Sequence, residues 1–265
     1  MNGTSGTSRT SRTSRTSRTS RTSRTSAGTN DADAQSGHVP QGTHEAALRD
    51  EIVRTARELE RLGINQGTSG NVSARFNEGL LITPSGVPAS ALSADAIVWL
   101  PFDVEADAPV FAQSRPSTEW RFHRDILRAR SDVGAVVHTH SSAATAIAIH
   151  GRDIPAHHYM VAVAGGNSIR CAPYATFGSQ ALSDHALEAL KDRTACLLAH
   201  HGVIALGRDL AKALWLANEV EVLATQYLLA SQLGPPPVLS DDEIAEVVKK
   251  FSNYGLRRAS GSDKP

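Results

Sequence analysis

The stretch that decides the fold runs from Gly134 to His140 and reads Gly-Ala-Val-Val-His-Thr-His. Its first four residues are small or apolar, which is typical of a buried β-strand. Successive side chains of a strand alternate between two faces, so His138 and His140 share one face at a spacing of roughly 6–7 Å. Two imidazoles in this arrangement can reach one metal ion. The stretch therefore predicts a strand that ends in two candidate metal ligands.

Further candidate ligands lie at the ends of other predicted elements. A carboxylate, Glu119, lies upstream, and an apolar run at 195–199 ends in His200 and His201. Three imidazole nitrogens and one carboxylate oxygen can form a tetrahedral zinc site. A single His-x-His pair carries little weight among 11 histidines, because a histidine that ends a strand is often only a hydrogen-bonded structural group. The coincidence of several such features indicates a metal site whose ligands come from separate elements.

The amino-terminal 44 residues differ in composition from the rest of the chain. They contain six tandem Arg-Thr-Ser units between residues 9 and 26, and no aromatic residue, leucine or isoleucine. Such a segment buries too little apolar surface to offset the entropy of ordering, so residues 1–44 are predicted to be a disordered tail. A transit peptide is a weaker alternative, because the tail has no apolar face. A nucleic-acid-binding arm is also weaker, because it would hold nucleic acid only loosely through phosphate contacts.

Charge and cysteine content limit the possible partners. The whole chain is neutral, and the tail carries a net charge of +4, so the remainder carries −4 and offers no basic stripe for nucleic acid. Cys171 and Cys196 lie in apolar surroundings and are predicted to be buried thiols, as in a reducing cytoplasm. We find no signal peptide and no apolar run of 18 residues, so no membrane association and a cytoplasmic location are expected.

Hydrophobic periodicity gives a coarse map of the elements. Helices are predicted at 44–62, 118–130, 142–149, 180–190, 209–232 and 241–251, with Ser117 as the N-cap of the second. Strands are predicted at 72–76, 80–83, 97–100, 134–138 and 195–200. Because no repeated βαβ units occur, the pattern favours one α/β sandwich domain at 45–258 over a Rossmann fold, with residues 259–265 as a disordered end.

Three loops offer neutral hydrogen-bond donors. They lie at 67–71, 83–86 and 116–118, and each combines hydroxyl groups with backbone N–H groups near an element end. None carries the lysine of a Walker loop, and each alone is typical of an ordinary turn. Together they indicate a cradle for a phosphate monoester.

These stretches together resemble the class II aldolase/adducin family. The motifs that carry the resemblance are GTSGNVS at 67–73, LITPSG at 81–86, STEW at 117–120, VHTH at 137–140 and HHG at 200–202. Similarity continues through residues 154–160, 171–178 and 213–222 to about residue 257. The resemblance implies a single three-layer α/β/α domain with a central, mostly antiparallel sheet.

The resemblance also implies roles for individual residues. One Zn²⁺ per subunit would be held by Glu119, His138, His140 and His201. The substrate phosphate would be surrounded by Thr68, Ser69, Asn71, Ser85, Gly86, Ser117 and Thr118. Glu119 would also act as a base, Tyr159 and Tyr254 would act near the aldehyde carbon, and Phe177 would line the pocket. Family members are typically homotetramers with sites between subunits, so a neighbour could supply both tyrosines.

The implied activity is zinc-dependent cleavage of L-fuculose 1-phosphate into dihydroxyacetone phosphate and L-lactaldehyde. Other sugar-phosphate enzymes of the family remain open: a 5-deoxyribulose-phosphate aldolase, a methylthioribulose-1-phosphate dehydratase and a pentulose-5-phosphate 4-epimerase. A non-catalytic, adducin-like binding module is a further alternative, although it would be expected to lack the four ligands. A lysine Schiff base is disfavoured because the lysines fall on polar helix faces, in loops or in the terminal segment. They are Lys191, Lys212, Lys249, Lys250 and Lys264.

Overall fold

A single mixed sheet organises the residues that the structure, a computed structural model, describes, namely 41–104 and 115–253. Within these ranges the sheet has eight strands in the order β3-β2-β1-β4-β8-β7-β6-β5. All neighbours are antiparallel except β6 and β7. The strands are β1 Asn71–Phe76, β2 Gly79–Ile82, β3 Val98–Pro101, β4 Ala135–Thr139, β5 Ile154–Pro155, β6 Ser168–Ala172, β7 Ala195–Leu198 and β8 Gly202–Gly207. The sequence Gly134–His140 thus contributes a central strand.

Six α-helices and three short 3₁₀ helices accompany the sheet in the described ranges. The α-helices are α1 Gln41–Arg61, α2 Trp120–Ala129, α3 Ser142–Ile149, α4 Gln180–Ala189, α5 Leu210–Ser231 and α6 Asp241–Asn253. The 3₁₀ helices are Ala89–Ala91, Ala94–Ala96 and Tyr159–Ala164. No helix in the described ranges combines the length and apolar character needed to cross a membrane.

The core lies in two layers, one on each face of the sheet. Val137 of β4 packs in the cluster that includes Ile52 of α1 and Leu216 of α5. Its neighbour Val136 faces the other way and packs with Ile126 of α2, in the cluster that also contains side chains of α4. Because adjacent strand residues alternate between these clusters, both faces of the sheet are covered. This arrangement confirms the three-layer α/β/α prediction.

Several element predictions needed correction. Helix α1 begins at Gln41, three residues before the predicted start of the first helix at residue 44. The ring of His44 lies 6.0 Å from that of Phe76, so the first turn of α1 lies beside the sheet. The sequence did not predict strands β5, β6 and β8. Residues 1–40 and 254–265 lie outside the described residues, so the disorder predicted for the two ends of the chain stays a prediction.

The predicted N-cap of α2 was also wrong. Ser117 lies in a short extended segment, where its N–H donates to the carbonyl of Thr83 and Pro116 bridges Pro84. The chain therefore turns two residues later, and Glu119 occupies the N-cap position of α2. This shift places the carboxylate of Glu119 at the positive end of the helix, which favours a negative charge.

The two thiols differ in their exposure. Cys196 is fully buried, as predicted, whereas Cys171 is only half-buried. Burial raises the pKa of the Cys171 thiol to about 11 and raises that of Cys196 further. Both thiols are therefore protonated at neutral pH, so neither is an activated nucleophile.

We predict that Ile169→Ala destabilises the protein far more than Ile149→Ala. Ile169 is fully buried in the core that faces α5, so its truncation leaves a cavity that costs about 2–5 kcal/mol. Ile149 is 49% exposed, and its truncation costs about 0.5 kcal/mol or less. Denaturant titration followed by circular dichroism measures both. Equal losses in the two variants would contradict the assignment of the core.

Candidate metal centre

Four side chains converge at the carboxyl-terminal end of the central strand β4. His138 belongs to β4, His140 follows that strand, Glu119 precedes α2, and His201 lies in the turn between β7 and β8. One potential ligand atom from each lies within 4.8 Å of every other. The structure therefore brings together all four residues that the sequence indicated as metal ligands.

The register of the sheet fixes where these residues meet. On one side of β4, Asn71 of β1 pairs with His138. On the other side, Val203 of β8 pairs with Thr139. The β7–β8 connection is therefore held beside the end of β4, and the connection places His201 opposite the two histidines of that strand.

The β7–β8 turn has little space and an unusual backbone. His200 has a φ of 57°, a left-handed conformation that β-turns usually assign to glycine or asparagine. A Cβ atom at Gly202 would lie 2.3 Å from the Thr139 carbonyl oxygen and 2.9 Å from Cδ2 of His140. Only glycine allows the turn to approach β4 this closely, and the approach brings His201 to the cluster.

Hydrogen bonding orients the ring of His138. Its Nδ1 lies 2.9 Å from the carbonyl oxygen of Val203 and can only donate to it. Nε2 is then the nitrogen left to offer a lone pair to a metal ion, and it faces the cluster. It lies 3.0 Å from Nε2 of His140 and 3.2 Å from Oε2 of Glu119. The second carboxylate oxygen, Oε1, lies 3.1 Å from Nε2 of His201.

The electrostatics of the cluster favour a cation. Burial alone would raise the pKa of Glu119, but the adjacent His138 and His201 outweigh burial and hold the pKa well below its ordinary value. Burial lowers the pKa of His140 to about 4, and His138 and His201 act in the same direction. Glu119 is therefore a carboxylate and the His140 ring is neutral at neutral pH. Oε1 of Glu119 is buried without a well-formed hydrogen bond, and a metal ion would satisfy it.

A second set of polar side chains lies behind Glu119. The amide nitrogen of Asn71 donates to Oε2 of Glu119 at 2.9 Å, and the amide oxygen of Asn71 contacts Nε2 of His123. Nδ1 of His123 lies 2.7 Å from the hydroxyl oxygen of Ser73. Burial lowers the pKa of His123 to about 3, with His138 acting in the same direction, so the ring is neutral.

The sequence reasoning missed His123 and Ser73. One signal was available, because His123 follows Glu119 by four residues and so faces the same side of α2. A second was the strand period, which places Ser73 on the same face of β1 as Asn71. In a sequence, a single histidine in a helix and a serine in a strand are typical of structural positions. Only the three-dimensional contacts connect His123 and Ser73 to Glu119.

A cavity of about 340 Å³ opens in front of the cluster, a volume suited to a small metabolite. It is lined by Thr68, Ser69, Thr118, Glu119, His140, Tyr174, Ala175, Phe177, His200 and His201. The loop with Ser85 and Gly86 is hydrogen-bonded to the segment before Thr118, because the Ser85 N–H donates to the Arg115 carbonyl oxygen. The cavity thus has a hydroxyl-bearing side and an aromatic side.

Some predicted site residues do not line this cavity. Asn71 and Ser117 are buried, and the Ser117 hydroxyl accepts a hydrogen bond from the backbone of Glu119. Tyr159 is 49% exposed and contacts the rings of His158 and Phe251. Their binding and catalytic roles stay predictions.

Tyr254 lies outside the described residues.

The sheet order, the Glu-His cluster and the cavity define a class of protein that the comparisons identify. The family model described as the class II aldolase and adducin N-terminal domain matches residues 50–228. This match covers more than half of the chain. The chain belongs to the class II aldolase and adducin family.

Individual relatives share the domain over nearly their full length. The L-fuculose phosphate aldolase of Escherichia coli K12 is 53% identical over 211 residues, which are 79% of this chain and 96% of the relative. A 5-methylthioribulose-1-phosphate/5-deoxyribulose-1-phosphate aldolase of Rhodospirillum rubrum is 53% identical over 209 residues, 79% of this chain and 93% of the relative. A solved L-fuculose 1-phosphate aldolase superimposes with a TM-score of 0.73 at 34% identity, covering 78% of this chain and 96% of that one.

We predict that His201→Ala abolishes metal retention, whereas His200→Ala leaves it intact. His201 points a nitrogen at the cluster, and His200 is exposed with its ring 6.0 Å from that of Tyr174. Alanine and histidine meet the same left-handed backbone constraint at residue 200, so His200→Ala differs from the unaltered chain mainly in the lost ring. Metal content per chain after desalting, measured by mass spectrometry, decides between them. One metal per chain in His201→Ala would refute the assignment.

Proposed function

We propose that this protein is a zinc-dependent class II aldolase that cleaves L-fuculose 1-phosphate to dihydroxyacetone phosphate and L-lactaldehyde. The observation that carries the proposal is the cluster of one carboxylate and three imidazoles at the base of the cavity. Support comes from the Escherichia coli relative, which is named an L-fuculose phosphate aldolase. The substrate would be a ketose 1-phosphate.

The four clustered residues would hold one Zn²⁺ per subunit. Bound Zn²⁺ would supply Lewis acidity that stabilises the negative charge developing on the triose half during cleavage. Glu119 is the side chain placed to move the proton at C3 of the triose. Its lowered pKa keeps it unprotonated, and its position at the start of α2 directs it into the cavity.

The hydroxyl-bearing side of the cavity would hold the phosphate. Thr68, Ser69 and Thr118 line the cavity, and the exposed Ser85 and Gly86 lie on the loop bridged to the Thr118 segment. Hydroxyl and backbone N–H donors suit phosphate oxygens without requiring a lysine.

Two buried residues belong to the same proposed cradle. Asn71 and Ser117 lie outside the cavity lining and would act through Glu119, since both form hydrogen bonds with it. They would support the phosphate side by fixing the local backbone and the carboxylate.

The aldehyde half would meet aromatic side chains. Phe177 is 63% exposed and lines the cavity, so it would form the wall for the aldehyde carbons. Tyr159 would transfer a proton at the C4 oxygen, and Tyr254 would assist it. Because Tyr159 is exposed and away from its own cavity, we propose that it serves a neighbouring subunit of a homotetramer.

A Schiff-base route has no support from the cavity lining. No lysine lines the cavity among the residues that the structure covers. The four lysines within those residues are exposed: Lys191, Lys212, Lys249 and Lys250. Lysines that form a Schiff base are typically desolvated in an apolar pocket, whereas these side chains are exposed to solvent.

A second candidate substrate is 5-methylthioribulose 1-phosphate or 5-deoxyribulose 1-phosphate. The Rhodospirillum rubrum relative named for these two substrates is as identical to the chain as the Escherichia coli relative. These ketose phosphates differ from L-fuculose 1-phosphate in the aldehyde half, which would face Phe177 and Tyr174. The predicted dehydratase, epimerase and adducin-like alternatives gain no comparable support, and the cytoplasmic location stays a prediction.

A panel of three substrates tests the proposal. The purified full chain is assayed with L-fuculose 1-phosphate, 5-methylthioribulose 1-phosphate and 5-deoxyribulose 1-phosphate, and dihydroxyacetone phosphate is measured by a coupled reductase. We expect the highest kcat/KM for L-fuculose 1-phosphate, loss of activity with a chelator, and recovery with Zn²⁺. Preference for another substrate would select the second candidate. Covalent trapping of substrate on a lysine by borohydride would overturn the metal-dependent mechanism.

We predict that Tyr159→Phe slows cleavage by about 10²–10⁴-fold but leaves exchange of the C3 proton of dihydroxyacetone phosphate nearly unchanged. Exchange needs Glu119 and the phosphate donors, whereas cleavage also needs a proton transfer at the C4 oxygen. Glu119→Gln is the matched comparison and should slow both reactions. Proton exchange is followed by NMR in deuterated water. Equal losses of both reactions in Tyr159→Phe would show that the tyrosine positions substrate or metal instead.

A further inference from the structure

We infer that His123 is a positioning residue that sets the orientation of the Asn71 amide and, through it, the carboxylate of Glu119. His123 is not one of the four clustered ligands and does not line the cavity. It is fully buried, and both of its ring nitrogens have partners. The inference rests on the proposed role of Glu119 as ligand and base.

The hydrogen bonds of His123 have only one consistent assignment for a neutral ring. Nε2 contacts Oδ1 of Asn71, which can only accept, so Nε2 carries the proton. Nδ1 is then the acceptor, and the hydroxyl of Ser73 donates to it at 2.7 Å. The Ser73 hydroxyl can donate or accept, so it accommodates this tautomer, and a ring with its proton on Nε2 favours the oxygen end of the Asn71 amide toward His123.

The orientation of Asn71 matters because its two ends have opposite polarity. With its oxygen toward His123, its NH₂ group donates to Oε2 of Glu119 at 2.9 Å. The reversed amide would place a carbonyl oxygen against the carboxylate, which repels it. The donated hydrogen bond stabilises the charged form of Glu119 and leaves Oε1 to face His201. His123 therefore acts on Glu119 without touching it.

A position that served only to fill the core would not need a histidine. A buried polar group costs free energy unless it is hydrogen-bonded, and apolar side chains of similar volume can fill such a position. His123 instead lies one turn after Glu119 and connects β1 to the start of α2 through Ser73 and Asn71. Groups behind a ligand that fix its orientation commonly change metal affinity by about 10–100-fold.

Two amide substitutions at residue 123 separate positioning from packing. The side chain of His123→Gln is long enough to donate to Asn71 in place of Nε2. His123→Asn keeps a partner for Ser73 but is too short to reach Asn71. We expect His123→Asn to weaken Zn²⁺ binding about 10–100-fold in competition with a chromophoric chelator. His123→Gln should remain within about threefold of the unaltered chain. Equal Zn²⁺ affinity in His123→Asn and the unaltered chain would overturn the inference.

A double-substitution cycle tests whether His123 acts through Asn71. If it does, the losses of Zn²⁺ affinity in His123→Asn and Asn71→Leu do not add, and the double variant binds Zn²⁺ as Asn71→Leu does. Fully multiplicative losses would overturn the inference. If His123→Asn does not fold, Ser73→Ala is compared with Ser183→Ala, whose buried hydroxyl donates to Asp125 and not to His123 or any clustered ligand. Only Ser73→Ala should weaken Zn²⁺ binding, and equal effects in both would refute the inference.

Failure of this inference is distinguishable from failure of the proposed function. Zn²⁺ affinity is measured without substrate, so the pattern of variants can hold even if no sugar phosphate is cleaved. Conversely, an active unaltered chain together with an unchanged Zn²⁺ affinity in His123→Asn would remove only the role of His123.

Discussion

The carboxylate of Glu119 is a buried charge, and the site depends on how its neighbours compensate that charge. It lies at the start of α2, receives a hydrogen bond from Asn71, and has imidazole nitrogens about 3 Å from each of its oxygens. Removing a carboxylate from water is unfavourable unless such partners are present. The sheet register and the start of α2 bring Glu119 and these partners together where β1, β4, the β7–β8 turn and α2 meet.

The sequence predicted the part of this site that depends on short-range periodicity. The i, i+2 spacing in Gly134–His140 placed His138 and His140 together, and the structure shows their nitrogens 3.0 Å apart. Strand β8 was missed because the preceding turn lacks its usual glycine or asparagine, with His200 in the left-handed position. His123 was missed because a lone histidine in an amphipathic helix has the same pattern as a core residue. Such long-range contacts have no local signature.

The two halves of the cavity are built differently. The metal side consists of side chains fixed by strand pairing, a tight turn and the start of a helix. The other half consists of hydroxyl groups on exposed loops, of which the 83–86 loop is joined to the 115–118 segment by backbone hydrogen bonds. A rigid base and separately held loops suit a reaction in which one fragment stays bound while the other leaves. Both halves would hold the triose fragment, and the cleaved bond would lie between that fragment and the aromatic side chains.

The narrow space at Gly202 has a consequence for how this protein can diverge. Any larger residue there would push the turn away from Thr139 and His140, so the position does not tolerate substitution. The aromatic rim of the cavity is open, since Tyr174 and Phe177 are each more than 60% exposed. Replacement of these rings disturbs little of the core. A directed-evolution library aimed at new aldehydes would therefore place its diversity on that rim and leave the turn invariant.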